Sequence, residues 1–139
     1  MAERLIVDAE AMVDLLVGSA AAPLLRGRLA GHELHVPGHF DAEVLSALGR
    51  LHRAGHLTAR QVTARVRRIA AAPIERHALP PLLVGAWRRR HNMRLVDALY
   101  VELADRLEAP IVTTDAGLAA AAPSAEQPAD HGGDDTARE

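Results

Sequence analysis

The stretch LVDALYVELADRLEAPIVTTD, residues 95–115, contains the pattern that decides the fold. Apolar residues recur at helical spacing, which predicts a helix over residues 95–107 with Val96, Leu99, Leu103 and Leu107 on one face. Pro110 breaks this helix, and the run Ile111-Val112-Thr113 predicts a buried strand that ends shortly before Asp115. A helix that leads into a short buried strand is typical of α/β proteins.

The same alternation extends towards the start of the chain and past the last strand. Leu5-Ile6-Val7, Leu34-His35-Val36 and residues 74–77 have the apolar or mixed character of short strands. Helices are expected over residues 9–17, 23–30, 37–54, 58–72, 80–91 and 116–122. Because strands and helices alternate, right-handed crossovers should place the strands in a parallel sheet with helices on both faces.

Composition excludes several classes of protein. The chain has 139 residues, which suits one domain, and no cysteine, which excludes disulfides and cysteine zinc sites. All 16 basic residues are arginine, so no mechanism can use a lysine amine. The three aromatic residues, Phe40, Trp87 and Tyr100, are too few for an RNA-binding surface built on base stacking.

Hydropathy and charge give the expected location and the domain boundary. No uncharged run approaches the ~20 residues of a membrane span, and acidic residues interrupt the first apolar stretch, so we expect a cytoplasmic protein without membrane contact. Residues 123–139 carry five acids and one arginine, with prolines and glycines but no apolar period. We therefore expect one domain over residues 1–122 and a disordered acidic tail over residues 123–139.

Four acidic residues occupy positions that the predicted topology can bring to one edge of the sheet. Asp8 and Asp115 follow predicted strands directly, and Glu43 and Asp97 lie in the first turns of predicted helices. Ligands of such folds bind outside the carboxyl ends of the strands. Clustered carboxylates repel one another unless a cation holds them, and oxygen ligands favour Mg²⁺ or Mn²⁺. Such a site suits phosphodiester hydrolysis.

Each of these acids also has a purely structural interpretation. Glu43 and Asp97 could complement helix dipoles, and Asp8 and Asp115 could cap the helices that follow the strands. Asp97 lies within an otherwise apolar stretch, where an acid without a partner is costly. From residue patterns alone, both interpretations stay open.

Four sequence blocks, in order, resemble those of PIN-domain ribonucleases, and the most similar subgroup is the VapC toxins of bacterial toxin–antitoxin pairs. The blocks are Leu5-Ile6-Val7-Asp8, then Pro37 with residues 41–48 (DAEVLSAL), then residues 95–100 (LVDALY) with Leu103-Ala104, then residues 111–115 (IVTTD). The resemblance covers about residues 4–120. It implies a three-layer α/β/α sandwich with a short parallel sheet and metal-dependent endonucleolytic cleavage of RNA.

The resemblance also implies roles for individual residues. Asp8, Glu43, Asp97 and Asp115 would form the catalytic site, in which Asp8, Asp97 and Asp115 hold Mg²⁺ or Mn²⁺. Thr113 would support that site by hydrogen bonding. Glu10 departs from the family, which usually has serine, threonine or asparagine there, so it either adds a fifth carboxylate or points away. The family further implies a homodimer and a cognate antitoxin that blocks the site.

A group of basic residues precedes Asp97 and is the candidate RNA-binding patch. Arginine suits phosphate contacts because its planar fork binds two oxygens, and the candidates are Arg88, Arg89, Arg90 and Arg94. The alternative is a solvated helix face. Histidines 32, 35 and 39 cluster in the sequence, and no function is assigned to them. His52 and His56 are four residues apart, a spacing that could bind a metal on a helix. They lack the glutamate of an H-E-x-x-H motif, so they are also interpreted as surface residues.

Other functions compete with the nuclease. A receiver domain or a dehalogenase-like phosphatase would use clustered acids, but both normally need a lysine that this chain lacks. A PIN-like module that binds RNA or a protein without cleavage is the remaining alternative. The presence of all four matched acids favours the nuclease over this binding module.

Overall fold

The computed structural model describes residues 2–129 and contains five short strands in one sheet. The strands are β1 (Arg4–Val7), β2 (Glu33–Pro37), β3 (Ile74–His77), β4 (Ile111–Val112) and β5 (Ala125–Glu126). All neighbouring strands are parallel, and their order is β3-β2-β1-β4-β5. The predicted α/β class and parallel sheet are confirmed.

Seven helices connect the strands: α1 (Ala9–Val17), α2 (Ala22–Leu29), α3 (Phe40–Arg53), α4 (Ala59–Ala71), α5 (Leu83–Arg88), α6 (Leu95–Leu107) and α7 (Ala116–Ala121). Thr58 begins α4 with a capping box, in which its hydroxyl accepts from the Gln61 amide and the Gln61 side chain accepts from the Thr58 amide. Within residues 2–129, no helix has both the length and the apolar character needed to cross a bilayer.

The sheet is the buried middle layer of the domain. Leu5, Ile6 and Val7 of β1 are fully buried, as are both residues of β4. Helix α6 packs across β1, β2 and β4 with α5 beside it, and α1 and α4 pack against α3. Alternate residues of each strand face opposite layers, so the central strands are apolar on both faces, as expected for a parallel sheet covered by helices.

Two predicted helix boundaries were wrong for identifiable reasons. Pro37 does not begin a helix: it is the last residue of β2 and pairs with His77 of β3, and α3 begins only at Phe40 because the chain turns over residues 38–39. The helix predicted to continue to His91 is a 3₁₀ turn, Pro80–Leu82, followed by α5, which ends at Arg88. Successive turns over residues 86–92 replace its last part.

The predicted boundary at residue 122 falls before the end of the ordered sheet. Ala125 and Glu126 form β5, which pairs with β4, so disorder does not begin at residue 123. At the sheet edge, the two residues of β5 are only half-buried and need no apolar pattern, so the sequence contained no signal from which this strand could be predicted. The rest of the predicted tail, residues 130–139, lies outside the described residues.

Candidate active site

The carboxyl ends of β1 and β4 bring Asp8 and Asp115 to one edge of the sheet. Val7 pairs with Val112, and the Asp8 amide donates to the Val112 carbonyl across 3.3 Å. In the sheet, β2 lies on one side of β1 and β4 lies on the other, so the strand order reverses direction at the carboxyl ends of β1 and β4. Such a position is called the topological switch point. Parallel α/β sheets bind ligands in this position.

Asp8 is the most buried acid of the site, with 6% of its surface exposed. One carboxylate oxygen accepts from the Ala11 amide (2.8 Å) and caps α1, and the other accepts from the Thr113 hydroxyl (2.5 Å). Burial raises the pKa of Asp8 to about 6; the hydrogen bonds oppose this, whereas the charges of Glu10 and Asp115 add to it. The carboxylate is therefore held at a position where its negative charge is unfavourable.

Thr113 connects the two strand ends. It is fully buried, donates to Asp8, and accepts from the Asp115 amide (2.9 Å). Asp115 in turn caps α7 by accepting from the Gly117 amide (2.8 Å) and the Leu118 amide (3.4 Å). Asp8 and Asp115 thus have the structural role of helix caps, but each keeps oxygen lone pairs that can serve a second ligand.

Asp97 lies in the first turn of α6 and forms an ion pair with Arg94. The contacts join Nε to one carboxylate oxygen (3.0 Å) and Nη2 to the other (3.3 Å). The hydrogen bond and charge of Asp97 raise the pKa of the Arg94 guanidinium, and Asp115 and Glu43 contribute further. The guanidinium of Arg94 therefore lies in the combined field of three site acids.

Glu43, in the first turn of α3, is held by two residues that sequence reasoning did not assign to the site. The Tyr100 hydroxyl donates to Glu43 Oε1 (2.8 Å), and His39 Nε2 lies 3.2 Å from the same oxygen and 2.9 Å from the Val96 carbonyl. Both neighbours of this nitrogen are acceptors, so it carries the proton. The buried ring of Tyr100 also packs against His39, with centroids 4.9 Å apart.

Tyr100 and His39 carry only weak signals in the sequence. His39 precedes Glu43 by one helical turn, and Tyr100 follows Asp97 by one turn on α6. Burial and the charge of Glu43 raise the pKa of Tyr100, with a smaller effect from Asp8. The phenol therefore stays protonated and acts as a hydrogen-bond donor that orients the Glu43 carboxylate.

Glu10 is an exposed acid in the first turn of α1, directly after the strand end that carries Asp8. Partial burial and then the charges of Asp115, Asp14 and Asp97 raise its pKa, while Arg94 lowers it. Asp14, one turn further along α1, accepts from the Thr114 hydroxyl (2.6 Å) and so connects α1 to the segment after β4. That Glu10 adds a fifth carboxylate to the site stays a prediction.

The donor set fits a divalent cation. The acids affect one another's ionisation, and a cationic guanidinium already lies among them. Hard carboxylate oxygens are the ligands that Mg²⁺ and Mn²⁺ prefer. Across residues 2–129, however, no three of these acids place carboxylate oxygens within 4.8 Å of one another. The one group of three metal-type residues whose ligand atoms lie that close is His35, Glu75 and His77. The acids form an open edge and not a closed cage.

The predicted arginine patch divides into residues with different roles. Arg89 forms ion pairs with Glu102 and Asp105 and donates to the Gly85 carbonyl, and a Cβ at Gly85 would overlap the Glu102 carboxylate. Burial raises the pKa of Glu102, but hydrogen bonds from Arg106 and Arg89 outweigh it, so the pKa lies below its ordinary value. The prediction of a phosphate contact is therefore not supported for Arg89, which joins α5 to α6.

The other three arginines of the patch are exposed. Arg88 lies in the last turn of α5, and Arg90 lies over the Trp87 ring, 4.6 Å from its centroid. Arg94 begins α6 and reaches Asp97. Only Arg94 is directly connected to the acidic edge.

A family model and sequence relatives both match this chain to the same family. A PIN domain matches residues 5–123. Ribonuclease VapC3 of Mycobacterium tuberculosis is 52% identical over 124 residues, which are 88% of this chain and 90% of that protein. Two of the four sequence blocks that carry the resemblance, those ending in Asp8 and Asp115, flank the sheet edge described above.

Solved structures share the fold at low sequence identity. Mycobacterium tuberculosis VapC20, described as a toxin that cleaves the sarcin-ricin loop, matches with a TM-score of 0.65 at 16% identity over 84% of this chain and 94% of that one. A toxin–antitoxin complex from Klebsiella pneumoniae matches with a TM-score of 0.67 at 15% identity, covering 90% of this chain and 98% of that one. The chain therefore belongs to the PIN-domain family and, within it, to the VapC ribonucleases.

Proposed function

We propose that this protein is a Mg²⁺- or Mn²⁺-dependent endoribonuclease and the toxin of a type II toxin–antitoxin pair. The observation that carries the proposal is the position of Asp8 and Asp115 at the switch point of the sheet, where Thr113 joins them and where burial and the charges of Glu10 and Asp115 raise the pKa of Asp8. The identity to a named VapC ribonuclease over most of the chain supports the same function.

Asp8, Asp97 and Asp115 would hold the ion. When bound there, a divalent cation lowers the pKa of a ligand water and neutralises charge on phosphate oxygens. Thr113 keeps the Asp8 carboxylate in one orientation, and the Asp8 and Asp115 caps fix both acids to helix starts. Glu43, which Tyr100 and His39 orient, would accept a proton from the attacking water.

The antitoxin would block this site with a cation of its own. The contacts of this chain's own Arg94 support the idea, because its guanidinium forms two hydrogen bonds with Asp97 and lies in the field of Asp115 and Glu43. An apolar cavity of about 420 Å³ between α3 and α4, lined in part by Val44, Leu45 and Val66, could take an apolar segment of the same partner. A partner arginine would then compete with the metal for the carboxylates.

The homodimer and the cytoplasmic location are further parts of the proposal. Exposed apolar side chains on α5 and at the start of α6 line one groove, which is the candidate surface for self-association: Leu83, Trp87, Leu95 and Val96. Contiguous exposed apolar patches mark interaction sites in many proteins. RNA and the antitoxin, which are cytoplasmic in bacteria, would meet the protein there without membrane contact.

Metal removal tests the proposed reaction. The purified protein should cleave RNA in Mg²⁺ or Mn²⁺ and lose cleavage in excess EDTA, because the carboxylates alone cannot activate water. Activity should return when Mg²⁺ is added beyond the EDTA concentration. Cleavage that persists at full rate in EDTA would contradict the metal-dependent mechanism, and RNA binding without cleavage in either metal would support the binding-module alternative.

The exposed arginines should contribute to RNA affinity through phosphate contacts. Arg88→Ala and Arg90→Ala should each weaken binding of every RNA sequence alike and reduce the log–log salt slope by about 0.7 per lost phosphate contact. The cleavage position should not change, because phosphate contacts carry no base information. Binding measured across a salt series provides the slope.

Arg89→Ala is the matched control for this experiment. Its side chain is engaged by Glu102 and Asp105, so its loss should lower the stability of the α5–α6 pair and leave the salt slope unchanged. An unchanged slope for Arg88→Ala and Arg90→Ala as well would assign the exposed arginines to a solvated helix face. A shifted cleavage position would assign the substituted residue to base reading.

A further inference from the structure

A second group of metal-type ligands lies on the sheet itself, away from the acids described above. His35 is in β2, and Glu75 and His77 are in the neighbouring edge strand β3. His35 pairs with Glu75 in the parallel register, and His77 is two residues further along β3, so all three project from the same face. No residue of this group belongs to the proposed catalytic site.

The ligand atoms of these three residues converge. His35 Nδ1 lies 2.9 Å from His77 Nε2 and 3.5 Å from Glu75 Oε2. One ligand atom from each residue lies within 4.8 Å of the others. Two nitrogens bound to one tetrahedral ion at about 2.0–2.1 Å would lie about 3.3 Å apart, so the two imidazoles need to separate by only a few tenths of an ångström.

His35 has an additional feature that a simple histidine–histidine hydrogen bond does not explain. It is 3% exposed, and its Nε2 has no hydrogen-bond partner within residues 2–129. Glu33, on the same face of β2, places a carboxylate oxygen 3.5 Å from this nitrogen. A histidine that binds metal through one nitrogen usually donates its other N–H to a carboxylate, which fixes the tautomer and orients the ring.

We propose that His35 Nδ1, His77 Nε2 and the Glu75 carboxylate form a zinc-type site, with Glu33 orienting His35. Two imidazoles and one carboxylate suit zinc and related transition metals, whereas Mg²⁺ prefers oxygen ligands. Three protein ligands leave the fourth position of a tetrahedral ion for water. Bound metal would fasten the edge strand β3 to β2, directly before residues 38–39, which lead into the helix that carries Glu43.

The probe is Zn²⁺ titrated into the full-length protein by calorimetry in excess Mg²⁺, which occupies oxygen sites. One Zn²⁺ per chain should bind, and His77→Gln and Glu75→Gln should each weaken the affinity by at least about tenfold, since even indirect ligand partners contribute 10–100-fold. Glu33→Gln should have a smaller effect. Both His77 and Glu75 lie on an edge strand and are not fully buried, so these variants keep the core intact.

Copper provides a readout that loss of folding cannot imitate. The electron paramagnetic resonance spectrum of the Cu²⁺-loaded protein should show two coupled nitrogens, and that of His77→Gln should show one. His52→Gln/His56→Gln, a histidine pair on and after α3, is the matched control and should bind Zn²⁺ like the unaltered protein. Absence of Zn²⁺ binding in Mg²⁺, or binding unaffected by His77→Gln but lost in Asp8→Asn, would overturn the proposal.

Discussion

The Asp97→Asn protein should cleave RNA at least about 100-fold more slowly than the unaltered protein, because a residue that binds the metal directly should matter at least as much as the indirect partners, which contribute 10–100-fold. Asparagine keeps the size of the side chain but removes the charge that the cation needs. The only side chain that hydrogen-bonds to Asp97 within residues 2–129 is Arg94, which is itself exposed. The fold should therefore survive, and the loss should appear in the cleavage rate and not in the melting temperature.

Asp105→Asn is the matched control for Asp97→Asn. Asp105 lies on the same helix, α6, two turns further along, and pairs with Arg89 at an exposed position. Its substitution changes the net charge equally but removes no acid from the site, so cleavage should stay near the original rate. If Asp97→Asn also cleaves at that rate, Asp97 only complements the helix dipole and the metal site must be reassigned.

The Asp8→Asn protein should be more stable than the unaltered protein at pH 8 when no metal is present. The pKa of Asp8 is about 6 in the folded state against 3.8 in the reference state, and this difference corresponds to about 3 kcal/mol. Asparagine carries no charge to bury, and its side-chain oxygen can still cap α1 by accepting from Ala11. Its amide disturbs the Thr113 hydrogen bond at a cost of about 1 kcal/mol, so a net gain of about 1–3 kcal/mol is expected.

The pH dependence gives the sign of this effect. Below about pH 4, Asp8 is protonated in the folded and the unfolded protein, so its ionisation does not change the free energy of unfolding. Between about pH 4 and 6 the unfolded chain releases the proton that the folded protein keeps, so this group lowers stability as the pH rises, and the loss is complete above the folded pKa. The advantage of Asp8→Asn should therefore disappear near pH 4 and turn into a deficit of about 1 kcal/mol at lower pH, where only the disturbed Thr113 hydrogen bond remains.

Denaturant unfolding in EDTA from pH 4 to pH 8 measures this difference. Asp115→Asn is a suitable comparison, because asparagine also caps helices well and Asp115 is less buried than Asp8. Its stabilisation should be smaller. Added Mg²⁺ should then stabilise the unaltered protein more than Asp8→Asn, since a ligand stabilises the state that binds it. Lower stability of Asp8→Asn at pH 8 would show that the Asp8 carboxylate is mainly structural.

Local features of the chain were sufficient for most of the elements. The apolar period of residues 95–107 predicted α6 with its observed bounds, and the Thr58 capping box was visible as a pattern of neighbouring residues. The four acids were also identifiable, because each borders a strand or begins a helix, and parallel topology brings strand ends to one edge. These features depend on contacts within a few residues or on general rules of chain connection.

The tertiary structure alone decided which distant side chains meet. The register of β2 against β3 brings His35 and His77 together, and the packing of α6 brings the Tyr100 hydroxyl to Glu43 and Glu102 to Arg89. Periodicity specifies which face of an element is buried but not its register or crossing position relative to a partner. A shift of one residue in β3 would turn His77 to the opposite face. The sequence by itself therefore determined the elements and the acidic residues, and only the packed chain determined the roles of Tyr100, Arg89 and His35.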